Sequence, residues 1–233
     1  MAEDRSRIAS LAKRGIDIIA ASAGLILLLP LMLTLALVVI ATEGPPLLYR
    51  EQRLGRNGRL FALYKFRTLR AGSAEECSVA PEDDPRITGS GLWLRRWRMD
   101  EFPQLFNVLC GHMSLVGPRP MPPAHGATLP PEQLEELLSV RPGITDAAAI
   151  RFLAEDAVLA GREDAETLYL QCFLPVKARM QVASLRRWSL AGDLRVAMCT
   201  LALLWSRRAR DESAREMCEI LKTAAAVSPA STH

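Results

Sequence analysis

The stretch IIAASAGLILLLPLMLTLALVVIAT, from Ile18 to Thr42, decides the fold of this chain because it contains no charged side chain. As one α-helix it would be about 37 Å long, and a hydrocarbon core is about 30 Å thick. The segment is therefore long enough to cross a membrane. Pro30 lies near its middle, where a proline lacks an N–H, clashes with the preceding turn and bends a helix.

Basic residues flank this segment on both sides. Before and after it lie Arg5, Arg7, Lys13, Arg14, Arg50, Arg53, Arg56 and Arg59. A helix that crosses once should leave its basic excess on the cytoplasmic side only, so both ends of this segment favour the same side. A break at Pro30 would let the chain enter and leave by one face as a re-entrant helix. The alternative is an ordinary crossing helix that tolerates its proline.

Composition agrees with a membrane-attached protein that carries a cytosolic body. The chain has 233 residues, 49% of them hydrophobic and only 6% aromatic, which favours aliphatic helices over a β-sandwich. Its five cysteines are widely separated and odd in number, so they predict neither a disulfide framework nor a zinc site. The net charge of +3 is modest, and we expect no nucleic-acid partner. A mostly α fold with a small β-hairpin (α+β) is predicted.

The sequence divides into three parts. Residues 1–45 form the predicted membrane helix, residues 46–208 a cytosolic catalytic domain, and residues 209–233 a tail that we expect to be partly disordered. Two extended runs flank Gly55-Arg56-Asn57-Gly58, and Asn-Gly between such runs predicts a β-hairpin. Helices are predicted at 92–98, from about 103, and at 131–140, 146–159, 164–188 with a kink near Pro175, and 190–207.

The acidic pair Asp100-Glu101 is the clearest candidate for chemistry. Two adjacent carboxylates cannot both be buried and charged unless a cation offsets them. Mg²⁺ is the cation we expect, because it favours one or two carboxylates together with phosphate oxygens and water. The plainer interpretation is that both acids stabilise the start of a helix through its dipole.

Basic side chains near the pair suit a phosphorylated substrate. Arg95 precedes it in a run of arginines, and planar guanidinium groups bind phosphate oxygens two at a time. Arg119 lies between two prolines, which restrict the backbone and lower the entropy lost on binding. Lys65 and Arg67 lie at the end of the second predicted hairpin strand.

The run RRWRMDEFPQLFNVLCGHMSLVGPRP, at 95–120, resembles the signature of the bacterial sugar transferases, the monotopic polyprenyl-phosphate phosphoglycosyl transferases. Matching motifs elsewhere are KRGIDI (13–18), YKFRTL (64–69), DPRIT (84–88) and RPGIT (141–145). The resemblance covers residues from about 13 to about 203. Several ordered motifs at family spacing make it specific.

This resemblance implies transfer of a sugar 1-phosphate from a UDP-sugar to polyprenyl (undecaprenyl) phosphate, which initiates a surface glycan or exopolysaccharide. It implies that Asp100 is a nucleophile that expels UMP and carries a covalent phosphosugar, and that Glu101 helps to hold Mg²⁺. Arg95 and Arg119 match phosphate-contacting arginines of the family.

The resemblance also bears on location. Lys65 and Arg67 lie in a matching basic segment, and Pro30 matches the break of the family's re-entrant anchor. It implies a bacterial cytoplasmic (inner) membrane protein that contacts membrane lipid and has its catalytic domain on the cytoplasmic face. The oligomeric state stays open, a homo-oligomer included.

Two departures limit what the resemblance transfers. Cys110 and His112 occupy positions where the family more often has lysine and aspartate, so neither takes the family's role. After RPGIT the chain continues DAAAIRF (146–152), where much of the family differs. The sugar and the glycan pathway are therefore not identified.

Two other functions remain open from the sequence. One is a catalytically inactive, membrane-anchored interaction protein of a glycan assembly pathway. The other is an ordinary glycosyltransferase that moves a sugar without its phosphate and releases UDP instead of UMP.

Overall fold

The computed structural model describes residues 2–70, 72, 80–203 and 206–227. The described chain is mostly helical and contains two small sheets, which confirms the predicted α+β class. A 3₁₀ turn covers Met99–Glu101, and a π-helical turn covers Tyr169–Phe173. In chain order the helices and strands are α1 (Ala2–Glu43), β1 (Leu48–Leu54), β2 (Leu60–Phe66), α2 (Gly89–Arg96), α3 (Gln104–Leu109), β3 (Ser114–Val116), α4 (Pro123–Gly126), α5 (Pro131–Leu138), β4 (Gly143–Thr145), α6 (Ala147–Arg151), α7 (Glu155–Leu159), α8 (Ala165–Leu168), α9 (Leu174–Arg186), α10 (Leu190–Leu203) and α11 (Arg207–Val227).

Helix α1 is one helix with Pro30 inside it. The predicted membrane helix is therefore present, but the helical backbone continues through the proline instead of ending there. Pro30 removes one backbone hydrogen bond, which a long helix can lose without terminating. By length and composition alone, residues 9–43 could cross a membrane. The re-entrant path stays a prediction.

One side of α1 packs on the rest of the protein along its length. Ala21 is fully buried beside β2 and α3, and Leu35 and Val39 are buried beside α2 and the end of β2. The other side is exposed and apolar, with Leu27 79% exposed. This division leaves a long apolar surface on the outside of the molecule.

The predicted hairpin is confirmed. Strands β1 and β2 are antiparallel, and the turn between them places Asn57 at φ 57° and Gly58 at φ 73°, as expected for residues that tolerate the left-handed region. Asn107, fully buried in α3, donates to the Ala62 carbonyl at 2.7 Å and accepts from the Tyr64 N–H at 3.1 Å. These bonds fix α3, and the acidic pair before it, against β2.

A parallel pair, β3 with β4, joins two loops that the sequence analysis did not connect. A Cβ atom on Gly143 would lie 2.1 Å from the Gly117 backbone nitrogen, so the two strands approach as closely as glycine alone permits. This contact brings the segment that holds Arg119 against the start of α6.

Helix α11 contains much of the predicted tail, residues 209–233. Met217 is 1% exposed and packs with Phe152 and Phe173, while Ser213 is buried and donates to the Arg151 carbonyl at 2.7 Å. This part of α11 therefore belongs to the packed body. Residues 228–233 lie outside the described residues.

Other helix predictions differ in detail from the structure. The single helix expected over 146–159 is two short helices, α6 and α7, and the kink expected near Pro175 is the π-helical turn just before α9. The cysteines at 110, 172, 199 and 218 are free, and Cys77 lies outside the described residues.

Candidate active site

One cavity of about 410 Å³ contains most of the predicted site residues. Its lining includes Lys65 at the end of β2, Arg95 in α2, the acidic pair in the 3₁₀ turn, and Arg119 in the loop after β3. This volume lies within the range of small-molecule sites, about 300–1,000 Å³. The fold therefore brings together residues that are far apart in the sequence.

The acidic pair lies on a tight turn between α2 and α3. Arg98 directly precedes the 3₁₀ turn. Its backbone, at φ 52° and ψ 24°, lies in the left-handed region, which is uncommon for an arginine. Asp100 and Glu101 follow it and are 7% and 8% exposed. A backbone held in such a conformation often marks a functional site.

Glu101 is held by two cations. Its Oε1 atom accepts from Arg119 Nη2 at 2.5 Å and from Lys65 Nζ at 3.2 Å. Burial alone would raise the pKa of Glu101, but Arg119 and Lys65 bring it well below its ordinary value. In turn, the charge of Glu101 raises the pKa of Arg119. Glu101 is therefore a fixed, charged anchor.

Asp100 has a different environment. Burial raises the pKa of Asp100 to about 6 against the opposing charge of Lys65, and neighbouring Glu101 raises it further. Within the described part of the chain, no side chain donates a hydrogen bond to its carboxylate or lies within ion-pair distance of it. Asp100 is thus a buried carboxylate that lines the cavity without a fixed partner.

Asp146 positions the backbone of Arg119. Asp146 is 5% exposed and accepts from the Arg119 N–H at 3.1 Å, from the Ala149 N–H at 2.7 Å and from Gln181 Nε2 at 2.8 Å. It therefore caps α6 and holds the arginine loop at the same time. The Arg119 guanidinium is left to reach Glu101 across the cavity.

Arg95 and Arg67 have different places. Arg95 lines the cavity, where it donates to the Ala80 carbonyl and lies 3.5 Å from an Asp156 oxygen. Arg67 does not line this cavity. It is 5% exposed and donates to the Glu43 and Gly44 carbonyls at 2.6 and 2.7 Å, which ties the end of α1 to β2. Its predicted phosphate contact stays a prediction.

The cavity also has residues that the sequence analysis did not single out. Lys177, in α9, is 7% exposed and donates to Glu155, the first residue of α7. Its Nζ atom lies 5.1 Å from the ring centre of Tyr169 and 5.5 Å from that of Phe152. Burial alone would lower the pKa of Lys177, but Glu155 raises it above its ordinary value. No short motif marks these residues, because they meet only in the fold.

The donor set permits Mg²⁺ only together with a substrate. Among the described residues, no group of three or more histidine, cysteine or acidic side chains could enclose a metal ion. Asp100 and Glu101 offer two carboxylates in one cavity. This set fits the preference of Mg²⁺ for one or two carboxylates completed by phosphate oxygens and water.

Comparisons with a family model and with known proteins indicate the same family. Residues 8–207 match the family model described as "Bacterial sugar transferase". Undecaprenyl-phosphate glucose phosphotransferase of Komagataeibacter xylinus is 35% identical over 198 residues, which cover 82% of this chain and 35% of that protein. UDP-glucose:undecaprenyl-phosphate glucose-1-phosphate transferase of Escherichia coli (strain K12) is 32% identical over 204 residues, 84% of this chain and 40% of that protein.

A relative of similar length also matches. Exopolysaccharide production protein PSS of Rhizobium leguminosarum bv. phaseoli is 35% identical over 202 residues, which cover 81% of this chain and 92% of that protein. By contrast, this chain spans well under half the length of the Komagataeibacter and Escherichia relatives.

Proposed function

Because this chain belongs to the bacterial sugar transferase family, we propose that it transfers a sugar 1-phosphate from a UDP-sugar to polyprenyl phosphate, with undecaprenyl phosphate as the acceptor. The observation that carries the proposal is one cavity in which Asp100, Glu101, Lys65 and Arg119 meet. Two relatives are named as undecaprenyl-phosphate transferases and a third as an exopolysaccharide production protein. We place the reaction at the start of surface-glycan assembly.

The first chemical step is attack by Asp100 on the sugar-linked phosphorus of the UDP-sugar. A carboxylate oxygen forms a bond to this phosphorus while the bond from phosphorus to the bridging oxygen breaks, and UMP leaves with that oxygen. The product is an aspartyl phosphosugar. An aspartate that lines the cavity without a fixed partner suits a nucleophile, and burial removes the water that would otherwise solvate it.

In the second step, an oxygen of polyprenyl phosphate attacks the same phosphorus. The bond from phosphorus to Asp100 breaks, which restores the carboxylate and releases polyprenyl diphosphate sugar. Splitting one exchange into two steps lets both substrates use one small cavity in turn.

The cationic side chains position and neutralise phosphate in both steps. Arg119, Lys65 and Arg95 supply positive charge around the acidic pair, and phosphoryl transfer depends mainly on such positioning. Glu101 holds Arg119 and Lys65 in place. With substrate present, Glu101 would help to hold Mg²⁺, which would supply further charge neutralisation on the phosphate oxygens.

Replacement of Asp100 by asparagine tests the proposal. Asp100→Asn keeps the size of the side chain and removes the nucleophile, so UMP release from UDP-sugars with polyprenyl phosphate and Mg²⁺ should fall at least about 1,000-fold. Asp211→Asn is the matched control, because Asp211 lines the same cavity but is exposed, and it should keep most of its activity. Undiminished UMP release by folded Asp100→Asn would exclude this mechanism.

Mass spectrometry tests the intermediate directly. With a UDP-sugar and Mg²⁺ but no polyprenyl phosphate, the protein should gain the mass of a sugar phosphate on the peptide that contains Asp100. Release of UDP instead of UMP, with no adduct, would indicate an ordinary glycosyltransferase. The absence of any turnover across a panel of UDP-sugars would favour an inactive interaction protein.

We also propose that α1 attaches the protein to the bacterial inner membrane with both of its ends on the cytoplasmic face. Lys13, near one end, lies 2.5 Å from Asp193 of α10, and the Glu43 carbonyl at the other end accepts from Arg67. Both ends thus contact one body, which supports a same-side arrangement.

Cysteine labelling tests this placement. In a variant without the native cysteines, Glu3→Cys and Gln52→Cys should both react with a membrane-impermeant maleimide in sealed inverted inner-membrane vesicles. Labelling of only one of the two would show that the ends lie on opposite sides.

A further inference from the structure

A second cavity, of about 470 Å³, lies between α1, α5, α9 and α10. It shares no lining residue with the active-site cavity. Arg14 of α1, Arg56 of the hairpin turn and Arg141 before β4 all line it. The proposed reaction makes no use of these three arginines.

Four other charged side chains around this cavity form two ion pairs, and the exposed Arg187 is a further cation of the lining. Lys13 lies 2.5 Å from Asp193, and Arg186 donates to both carboxylate oxygens of Glu136 at 2.8 and 2.9 Å. Within each pair the two charges cancel, so neither pair compensates the charge of the three arginines.

The two remaining acids of the lining are also occupied. Asp17 is 4% exposed and accepts from Ser114 Oγ at 2.8 Å and from the Leu115 N–H at 3.0 Å. Asp146 holds the Arg119 backbone and caps α6, as described above. Their hydrogen bonds come from uncharged groups, so neither acid forms an ion pair within 4 Å among the described residues.

Each of the three arginines contacts only backbone carbonyls in the described structure. Arg14 donates to the last two carbonyls of α3 at 2.8 and 3.1 Å, Arg56 to the Ser139 carbonyl at 3.2 Å, and Arg141 to the Gly111 carbonyl at 2.8 Å. A guanidinium carries five N–H groups, so most of their donors stay available. Burial lowers the pKa of Arg141, and the charges of Arg14 and Arg56 lower it further against the opposing charge of Asp17.

We propose that this cavity binds a phosphate ester, with Arg14, Arg56 and Arg141 as its ligands. Three guanidinium groups line one cavity, and each is oriented by at least one backbone carbonyl. They form a preorganised site for a group with several anionic oxygens. Planar guanidinium groups match phosphate geometry and bind it in a bidentate manner. A phosphate would place negative charge in direct contact with the three guanidinium groups, which among the described residues donate only to backbone carbonyls.

The phosphate has two sources that the surroundings permit. Leu11 of α1 and Leu194 of α10 are 71% and 65% exposed and lie two and one residues from the paired Lys13 and Asp193 of the lining. A lipid could thus place its headgroup phosphate in the cavity and its chains on this apolar surface. A soluble phosphate ester has the same recognition chemistry, and the experiment distinguishes the two.

The soluble source is tested with glycerol 3-phosphate. All proteins carry Arg119→Gln, so that phosphate binding at the active-site cavity is weakened to the same extent in each of them. Binding of glycerol 3-phosphate is then measured by isothermal titration calorimetry in dodecyl maltoside. Arg56→Gln and Arg141→Gln should each weaken binding about tenfold, the factor that corresponds to about 1.4 kcal/mol. Arg59→Gln is the matched control, because Arg59 is exposed, three residues from Arg56, and outside the lining.

The lipid source is tested in nanodiscs made of equal parts of phosphatidylglycerol and phosphatidylcholine. After release into mild detergent, native mass spectrometry should find phosphatidylglycerol retained on the parent protein and on Arg59→Gln, and about tenfold less on Arg56→Gln and Arg141→Gln. Binding in the first experiment alone assigns a soluble ligand, and retention in the second assigns a lipid. The proposal fails if neither ligand binds, or if the four proteins bind alike in both experiments. Because no turnover is measured, failure of the proposed reaction would not affect this result.

Discussion

Two groups of buried and half-buried charged side chains line the active-site cavity, and their positive and negative charges are balanced differently. In the α7–α9 group, Glu155 and Lys177 form one ion pair, and the Lys177 ammonium also lies near two aromatic rings. In the acidic-turn group, Lys65 and Arg119 both contact Glu101 and leave Asp100 without a fixed partner.

The difference separates a structural ion pair from a reactive arrangement. A complete buried pair satisfies both of its charges, so nothing in it is left to react. An incomplete group keeps one carboxylate at a raised pKa, which is a common property of catalytic acids. Perturbed charges that lack a partner are therefore the better guide to the reacting residue.

The largest expected effect tests whether the α7–α9 pair is structural. Lys177→Met leaves the half-buried Glu155 without its cation, so the protein should lose about 3 kcal/mol of stability, the lower end of the range for a buried pair. For a chain of this size, that loss lowers the unfolding temperature by roughly 10 °C. Thermal unfolding in one detergent at pH 7.5 measures it.

Two variants control that measurement. Arg186→Gln breaks an ion pair with Glu136 whose arginine is largely exposed, and it should leave the unfolding temperature close to that of the parent. The double variant Lys177→Met, Glu155→Leu removes both charges and should recover most of the loss. If Lys177→Met alone unfolds like the parent, the pair does not stabilise the fold.

How much of this site the sequence could predict depends on how far apart the interacting residues lie along the chain. The hairpin turn at Asn57-Gly58 and the adjacent acids Asp100 and Glu101 are local patterns, and the structure has them where they were expected. The resemblance to a family signature predicted that Arg119 acts at the same site as the acids. These features need only a short window of sequence or a known signature.

The partners across the fold could not be predicted in this way. Asp146 bonds to the Arg119 backbone from 27 residues away, and Lys177 meets Glu155 across 22 residues. Helical periodicity places Lys177 on a helix but does not say that its side chain points inward. Arg67 is a further example, because its bonds to the carbonyls at the end of α1 follow from the fold and not from the motif that contains it.

The next prediction compares the two neighbouring acids through their effect on stability. The pKa of Asp100 is raised from its ordinary value to about 6, so the folded protein binds a proton that the unfolded chain has lost between about pH 4 and 6. Stability therefore falls as pH rises through that window. Asp100→Asn removes this cost, and it should be more stable than the parent by about 2–3 kcal/mol at pH 7.5 and equal to it near pH 4.

Glu101→Gln should behave in the opposite way. The pKa of Glu101 is lowered in the folded protein, so its charge contributes stability above the unfolded value, and that stability is lost as pH falls. The variant should thus unfold at a lower temperature than the parent at pH 7.5, with a smaller difference near pH 4. Thermal unfolding of all three proteins at both pH values measures this, and a shift of the same sign for both variants would show that the two environments do not differ.

The smallest expected effect concerns the pH dependence of the proposed reaction. A nucleophilic Asp100 must be ionised, so kcat/KM for UMP release should fall about tenfold for each pH unit below about 6, which corresponds to about 1.4 kcal/mol per unit. Lys65 lowers the pKa of Asp100, so Lys65→Gln should move this acidic limb to higher pH, whereas Asp211→Asn should leave it in place. A limb that stays fixed in Lys65→Gln would mean that another group limits the rate at low pH, because the cation that most lowers the pKa of Asp100 had been removed without effect.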